Sequence, residues 1–245
     1  MISDTKLDEF VRRACEAAGE NLESVILYGS AVAGDYHPEF SNLNLFCVLR
    51  ETSFTALQSL APVAHWWEKQ KQPPPLIMTR HELARSNDVF TIELLDMQQH
   101  HSVLFGDDAL LGLHIPVDLH RVQVEYELRE KLILLRQQML LSSGDNRRLW
   151  QLLLRSVSSF ATLFRHALIV LGQVAPVAKR DAVLALAQFL QVDASAICQV
   201  LDVREQKANP KSMDVNDIFS RYLSVVEQVT AAVDEALGAD APTAS

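Results

Sequence analysis

The chain has 245 residues, 49% of them hydrophobic and 22% charged, with 22 Lys and Arg set against 31 Asp and Glu. This composition excludes a disordered or fibrous chain, and the length suits one or two domains, each burying its own core. A net charge of −9 argues against a dedicated DNA- or RNA-binding surface, which needs a basic face, but leaves room for a local pocket for a nucleotide.

In chain order, Leu7 to Ala18 carries helical spacing. Ser24-Val25-Ile26-Leu27-Tyr28 is a β-rich apolar run halted by Gly29, and Leu45 to Leu49 is a second such run; both predict buried strands. Phe54 to Lys71 predicts a helix in which Pro62 introduces a kink or a new turn. Gln72-Pro73-Pro74-Pro75 is an extended connector leading to a short strand, Leu76-Ile77-Met78. Thr79 followed by Glu82 is a capping-box signature that opens a short helix. Val89 to Leu95 is a further strand candidate, and His100-His101 a polar helix end before Val103-Leu104-Phe105-Gly106. Adjacent histidines point apart, which argues against a shared metal ion.

From about Pro116 the apolar period is 3.6. Val124, Leu128, Leu132, Leu135 and Met139 form one stripe, and Ser142 to Asn146 breaks the helix. Leu149 to Leu171 is apolar on more than one face, which predicts a central position in a bundle or a dimer contact. Three more helices follow, over Arg180–Leu190, Ala194–Val200 and Val215–Leu237. The expected organisation is an α/β domain over residues 1–115, a helical bundle over 116–238 and a frayed tail over 239–245. Cys15, Cys47 and Cys198 follow neither a disulfide framework nor a zinc pattern. The charged N-terminus carries no secretory signal and no apolar stretch nears 20 uninterrupted residues, so a cytoplasmic protein without a membrane span is expected.

The chemistry concentrates in Ser24 to Leu49. Gly29 lets the backbone turn sharply and approach a ligand, and Ser30 puts a hydroxyl at the start of the next helix, where free N–H groups suit phosphate. Asn42 and Asn44 are two apart at the entry to the second strand, so their side chains share a face. In order and spacing, Leu27-Tyr28-Gly29-Ser30, Ala33-Gly34 and Ser41 resemble the nucleotidyltransferase superfamily that includes DNA polymerase β, and within it small bacterial members such as aminoglycoside nucleotidyltransferases. The resemblance implies an α+β fold, a nucleotidyltransferase-like mixed sheet with flanking helices followed by a C-terminal helical bundle. It also implies a site in the interdomain cleft, in related proteins often completed by a second subunit, so a homodimer is a further expectation.

The family pattern holds divalent metals with Asp-x-Asp. This chain has Asn42-Leu43-Asn44, and Asn offers a carbonyl oxygen but no charge. A unit charge pair at about 4 Å and an effective dielectric near 20 is of order 4 kcal/mol before desolvation. Losing two such charges undermines chemistry that rests on positioning and charge neutralisation. Ile92-Glu93-Leu94-Leu95-Asp96-Met97 resembles the strand bearing the family's third carboxylate and places Glu93 as a residual acid. The leading expectation is thus a catalytically degenerate nucleotidyltransferase-like protein that binds a nucleotide or phosphorylated small molecule. Gly29 and Ser30 would meet phosphate, with no cofactor beyond weak Mg²⁺ accompanying the nucleotide, and no nucleic acid or membrane partner. Two alternatives stand beside it. One is a residual Mg-dependent enzyme adenylylating a small hydroxyl acceptor, with Glu93, Asp96 or Asp35 holding the ion. The other is a scaffold acting through the helical bundle. Arg165-His166 and the pair Arg147-Arg148 are assigned structural or solvated roles.

Overall fold

The computed structural model describes residues 4–33 and 42–239. Gly34 and Ser41 of the motif, the candidate ligand Asp35 and the tail from residue 240 lie outside the described residues. The chain divides into two compact units, Met1–Pro116 and Val117–Ser245.

The first unit is built on a mixed sheet. Strands β1 (Leu22–Tyr28), β2 (Asn44–Leu49), β3 (Leu76–Thr79) and β4 (His101–Gly106) lie in the order β3-β2-β1-β4. β1 is antiparallel to both β2 and β4, and β2 is parallel to β3. The central strands β1 and β2 read as unbroken apolar runs because both of their faces are covered. One face, with Val25, Leu27, Leu45, Cys47 and Leu49, packs on helices α1 (Asp4–Ala18) and α3 (Phe54–Lys69). There Trp67 is fully buried with its ring 5.1 Å from Phe10. Burial among these apolar groups pushes the Cys47 thiol up to about 12. Between β1 and β2 runs a single helical turn, α2 (Ser30–Ala33). Pro62 sits inside α3, which runs on through it to Lys69.

The opposite face, with Ile26, Phe46 and Val48, is covered by α4 (Arg80–Ser86), α5 (Thr91–Gln99) and the segment around Leu110. Thr79 caps α4 through the expected reciprocal bonds: its hydroxyl accepts from the Glu82 N–H, and its own N–H donates to the Glu82 carboxylate at 2.7 Å. The strand expected over Val89–Leu95 is instead α5. Thr91, Ile92, Leu94 and Met97 are its buried residues, a one-sided helical spacing rather than alternation. The fourth strand comes later, at His101–Gly106. It lies at the sheet edge, and its weak burial leaves little apolar pattern to read.

The second unit is helical: α6 (Val117–Ser142), α7 (Asn146–Val170), α8 (Lys179–Leu190), α9 (Ser195–Arg204) and α10 (Val215–Ala239). α7 is the hub that packs on all four others. By length and composition it is apolar enough to cross a bilayer, but 61% of its apolar window is buried inside the unit. Phe160 meets the Tyr222 ring edge-on at 5.9 Å, and the Tyr222 hydroxyl lies 3.0 Å from that of Ser156. Asp145 caps α7 by accepting from the N–H groups of Arg147 and Arg148, so these two arginines mark a helix start. His166 is buried and hydrogen-bonded to His120, Nδ1 to Nε2 at 2.8 Å.

Candidate functional site

The Tyr28 end of β1 carries the candidate site. β1 stops at Gly29 because φ there is +81°, a conformation that L side chains rarely adopt. The chain then closes a single turn, with the N–H groups of Val32 and Ala33 both donating to the Gly29 carbonyl at 3.0 Å. Those two donors are used within the turn. One turn of helix also carries little of the dipole that a long helix presents to an anion.

Asn44 opens β2 directly opposite Tyr28. A Cβ placed on Gly29 would sit 2.9 Å from Asn44 Nδ2, so the amide lies against the one residue whose lack of a side chain admits it. Asn42 precedes the strand in an exposed stretch. Between them Leu43 is buried on the α1/α3 face, its N–H held by the Gln72 side chain at 2.7 Å. The two asparagines thus flank a fixed residue at the strand entry.

Glu93 is exposed in the first turn of α5, not on a strand. It still reaches this end of the sheet. The Tyr28 phenol is raised above its ordinary value chiefly by burial and secondly by the negative charge of Glu93. The structure therefore gathers Tyr28, Gly29 and Asn44 at one corner, with Ser30 opening α2 beside them and Glu93 near enough for its charge to act on the Tyr28 phenol. In the sequence Tyr28 belongs to the strand and to the Leu27-Tyr28-Gly29-Ser30 motif, with no site role of its own. The signal for more was its position directly before the Gly-Ser turn, at the end of a strand.

His101, expected at a polar helix end, is instead the first residue of a strand. It opens β4 opposite Tyr28, with Nδ1 2.8 Å from the Met97 carbonyl and Nε2 3.1 Å from Asp108. These contacts tie the end of α5 to the sheet edge and so fix the helix that carries Glu93. Asp96 sits on α5 as well, inside the helix.

Among the described residues the donor chemistry does not fit a pair of tightly held dications. Asn42 and Asn44 are neutral, and Glu93 brings one charge. No group of three or more His, Cys, Asp or Glu is arranged to hold a metal ion among the described residues. Hard cations select clustered anionic oxygens, and among the described residues this corner offers only the Glu93 carboxylate.

No protein-family model matches the chain, and no curated protein matches it. Among solved structures it is similar to a spectinomycin adenyltransferase, AAD(9) from Enterococcus faecialis, in a crystal structure with ATP and spectinomycin. The TM-score is 0.57 at 16% identity, over 92% of this chain and 98% of that one. The fold is a nucleotidyltransferase-like α+β fold. An identity this low carries the fold and not the reaction.

Proposed function

We propose that this protein is a nucleotidyltransferase-like binder of a nucleotide or other phosphorylated small molecule, with the metal-dependent transfer chemistry degenerate. The observation that carries the reading is the corner itself. A left-handed Gly29 lies beside the Asn44 amide, at a strand end where the resemblance calls for an aspartate. The similar adenyltransferase, whose crystal structure contains ATP, supports a nucleotide as the ligand class.

In this reading the amide N–H groups of Asn42 and Asn44 donate to phosphate oxygens where cations would otherwise bridge. Each such bond to a charged acceptor contributes about 1.5–3 kcal/mol. The Ser30 hydroxyl adds a donor at the turn. The Tyr28 phenol, protonated at neutral pH like any tyrosine and pushed higher still by burial and by Glu93, adds another. Glu93 disfavours an anion placed too deep. The arrangement binds without activating an attacking hydroxyl.

The test is calorimetric titration of ATP with Mg²⁺ and again with EDTA, on wild type and on the Asn42→Asp, Asn44→Asp double variant. Wild type is expected to bind equally in both conditions and to release no pyrophosphate. The double variant is expected to become Mg²⁺-dependent. Wild-type adenylyl transfer with Mg²⁺, unimproved by the two aspartates, overturns the degenerate reading in favour of a residual enzyme. No binding of ATP in either condition removes the nucleotide altogether and leaves a scaffold.

A further inference from the structure

Helix α6 has two apolar faces. Val124, Leu128, Leu132 and Leu135 are buried in the second unit. On the opposite side Leu119, Val122, Tyr126, Ile133 and Leu140 are exposed by 42%, 58%, 61%, 53% and 75%. At 100° per residue these five fall within one narrow stripe, and four of them recur every seven residues. The stripe runs about 32 Å along the helix. Isolated exposed apolar residues need no explanation, but a seam at heptad spacing does. The apolar surplus of α7, by contrast, is spent inside the unit.

We infer that the outer face of α6 is the interface with a second copy of this chain, the two α6 helices packing antiparallel about a two-fold axis. Charge selects the occupant and its direction. Arg129 and Arg136 take the positions of the seam that complete the heptads, so a parallel pair in register would set each arginine against its own copy. In the antiparallel pair Tyr126 lies against the partner's Arg129, Leu119 against the partner's Arg136 and Ile133 against the partner's Val122. A guanidinium can stack on the Tyr126 ring, and an arginine stem can cover Leu119. The exposed Asp118 then lies beside the partner's Arg136, and Glu125, which bonds Arg129 of its own helix at 2.7 Å, lies beside the partner's Arg129. Both arginines are about half exposed in one copy, where they already bond Asp234 and Glu227 of α10. They therefore stand ordered at the seam before a partner arrives. One self-complementary surface closes a dimer and leaves no seam open for further copies.

Light scattering of the full chain decides it, whatever the Gly29 corner binds. The expected mass is twice 27.4 kDa for wild type and 27.4 kDa for Tyr126→Glu with Ile133→Glu, with an unchanged circular dichroism spectrum. A wild type that stays at 27.4 kDa at tens of micromolar overturns the inference. So does a double variant that still dimerises. The direction is read from charge reversal. Asp118→Arg weakens the dimer by about threefold to tenfold, and adding Arg136→Asp restores it. A second reversal that restores nothing overturns the antiparallel register.

Discussion

β1 meets a left-handed glycine at each end, and the two are enforced differently. Beside its start, Gly106 has φ +72°, and a Cβ there would lie 1.9 Å from the Glu23 carbonyl oxygen. That end is also closed electrostatically, since Glu23 takes Arg80 at 2.8 Å and Arg50 at 3.8 Å. After its finish, Gly29 has φ +81°, but its Cβ would meet only the tip of the Asn44 side chain. A backbone carbonyl in a sheet cannot move aside; an amide can turn about its χ angles. One end of the strand is therefore locked, and the other keeps a neighbour that can yield to a ligand. This difference, more than the presence of a glycine, distinguishes the Tyr28 end as the candidate site.

Alanine at each glycine breaks or sharpens the contrast. Gly106→Ala is expected to be the costlier, at about 3 kcal/mol or more, because the clash with backbone adds to the unfavourable φ. It is measured by urea unfolding. Gly29→Ala is expected to cost about 1–2 kcal/mol, the left-handed penalty plus a relievable contact. Combining it with Asn44→Ala is expected to recover the contact portion and none of the φ portion. Equal costs at the two glycines, or no coupling between Gly29 and Asn44, would sink the view that only one end is yielding.

The sequence announced this corner better than it announced its surroundings. The runs around Val25–Tyr28 and Leu45–Leu49 were legible because a strand covered on both faces has no polar alternation to confuse it. Thr79 and Glu82 were legible because a capping box is local chemistry. Val89–Leu95 misled because a short apolar run rich in Val, Phe, Thr and Ile suits either period. Only packing against Phe46 and Val48 selects the helix. β4 was missed for the reverse reason: an edge strand with little burial leaves a weak trace. The exposed seam of α6 escaped because the reading followed its buried stripe, and an outer stripe on the same helix gains meaning only once the inner one is seen to be filled. At the site, Asn42, Asn44 and Glu93 were named from a motif. What brings Glu93 to Tyr28 is the docking of α5, tied down through His101, and no spacing in the chain encodes that.

The smallest effect is the one most specific to the open end. The Tyr28 phenol is raised by burial first and by Glu93 second. Because the folded state holds this proton more tightly than the unfolded chain does, stability is unaffected at neutral pH. It declines as pH climbs past the ordinary phenol value near 10, where the unfolded tyrosine ionises first. Glu93→Gln removes the charge and leaves the burial. It is therefore expected to lower the Tyr28 midpoint part of the way in a spectrophotometric titration, with Tyr28→Phe identifying which of the four tyrosines moved. The alkaline loss of stability should shrink in step. Should the midpoint stay where it is, Glu93 does not face the corner, and among the described residues the Tyr28 end would hold two amides and a serine without a carboxylate.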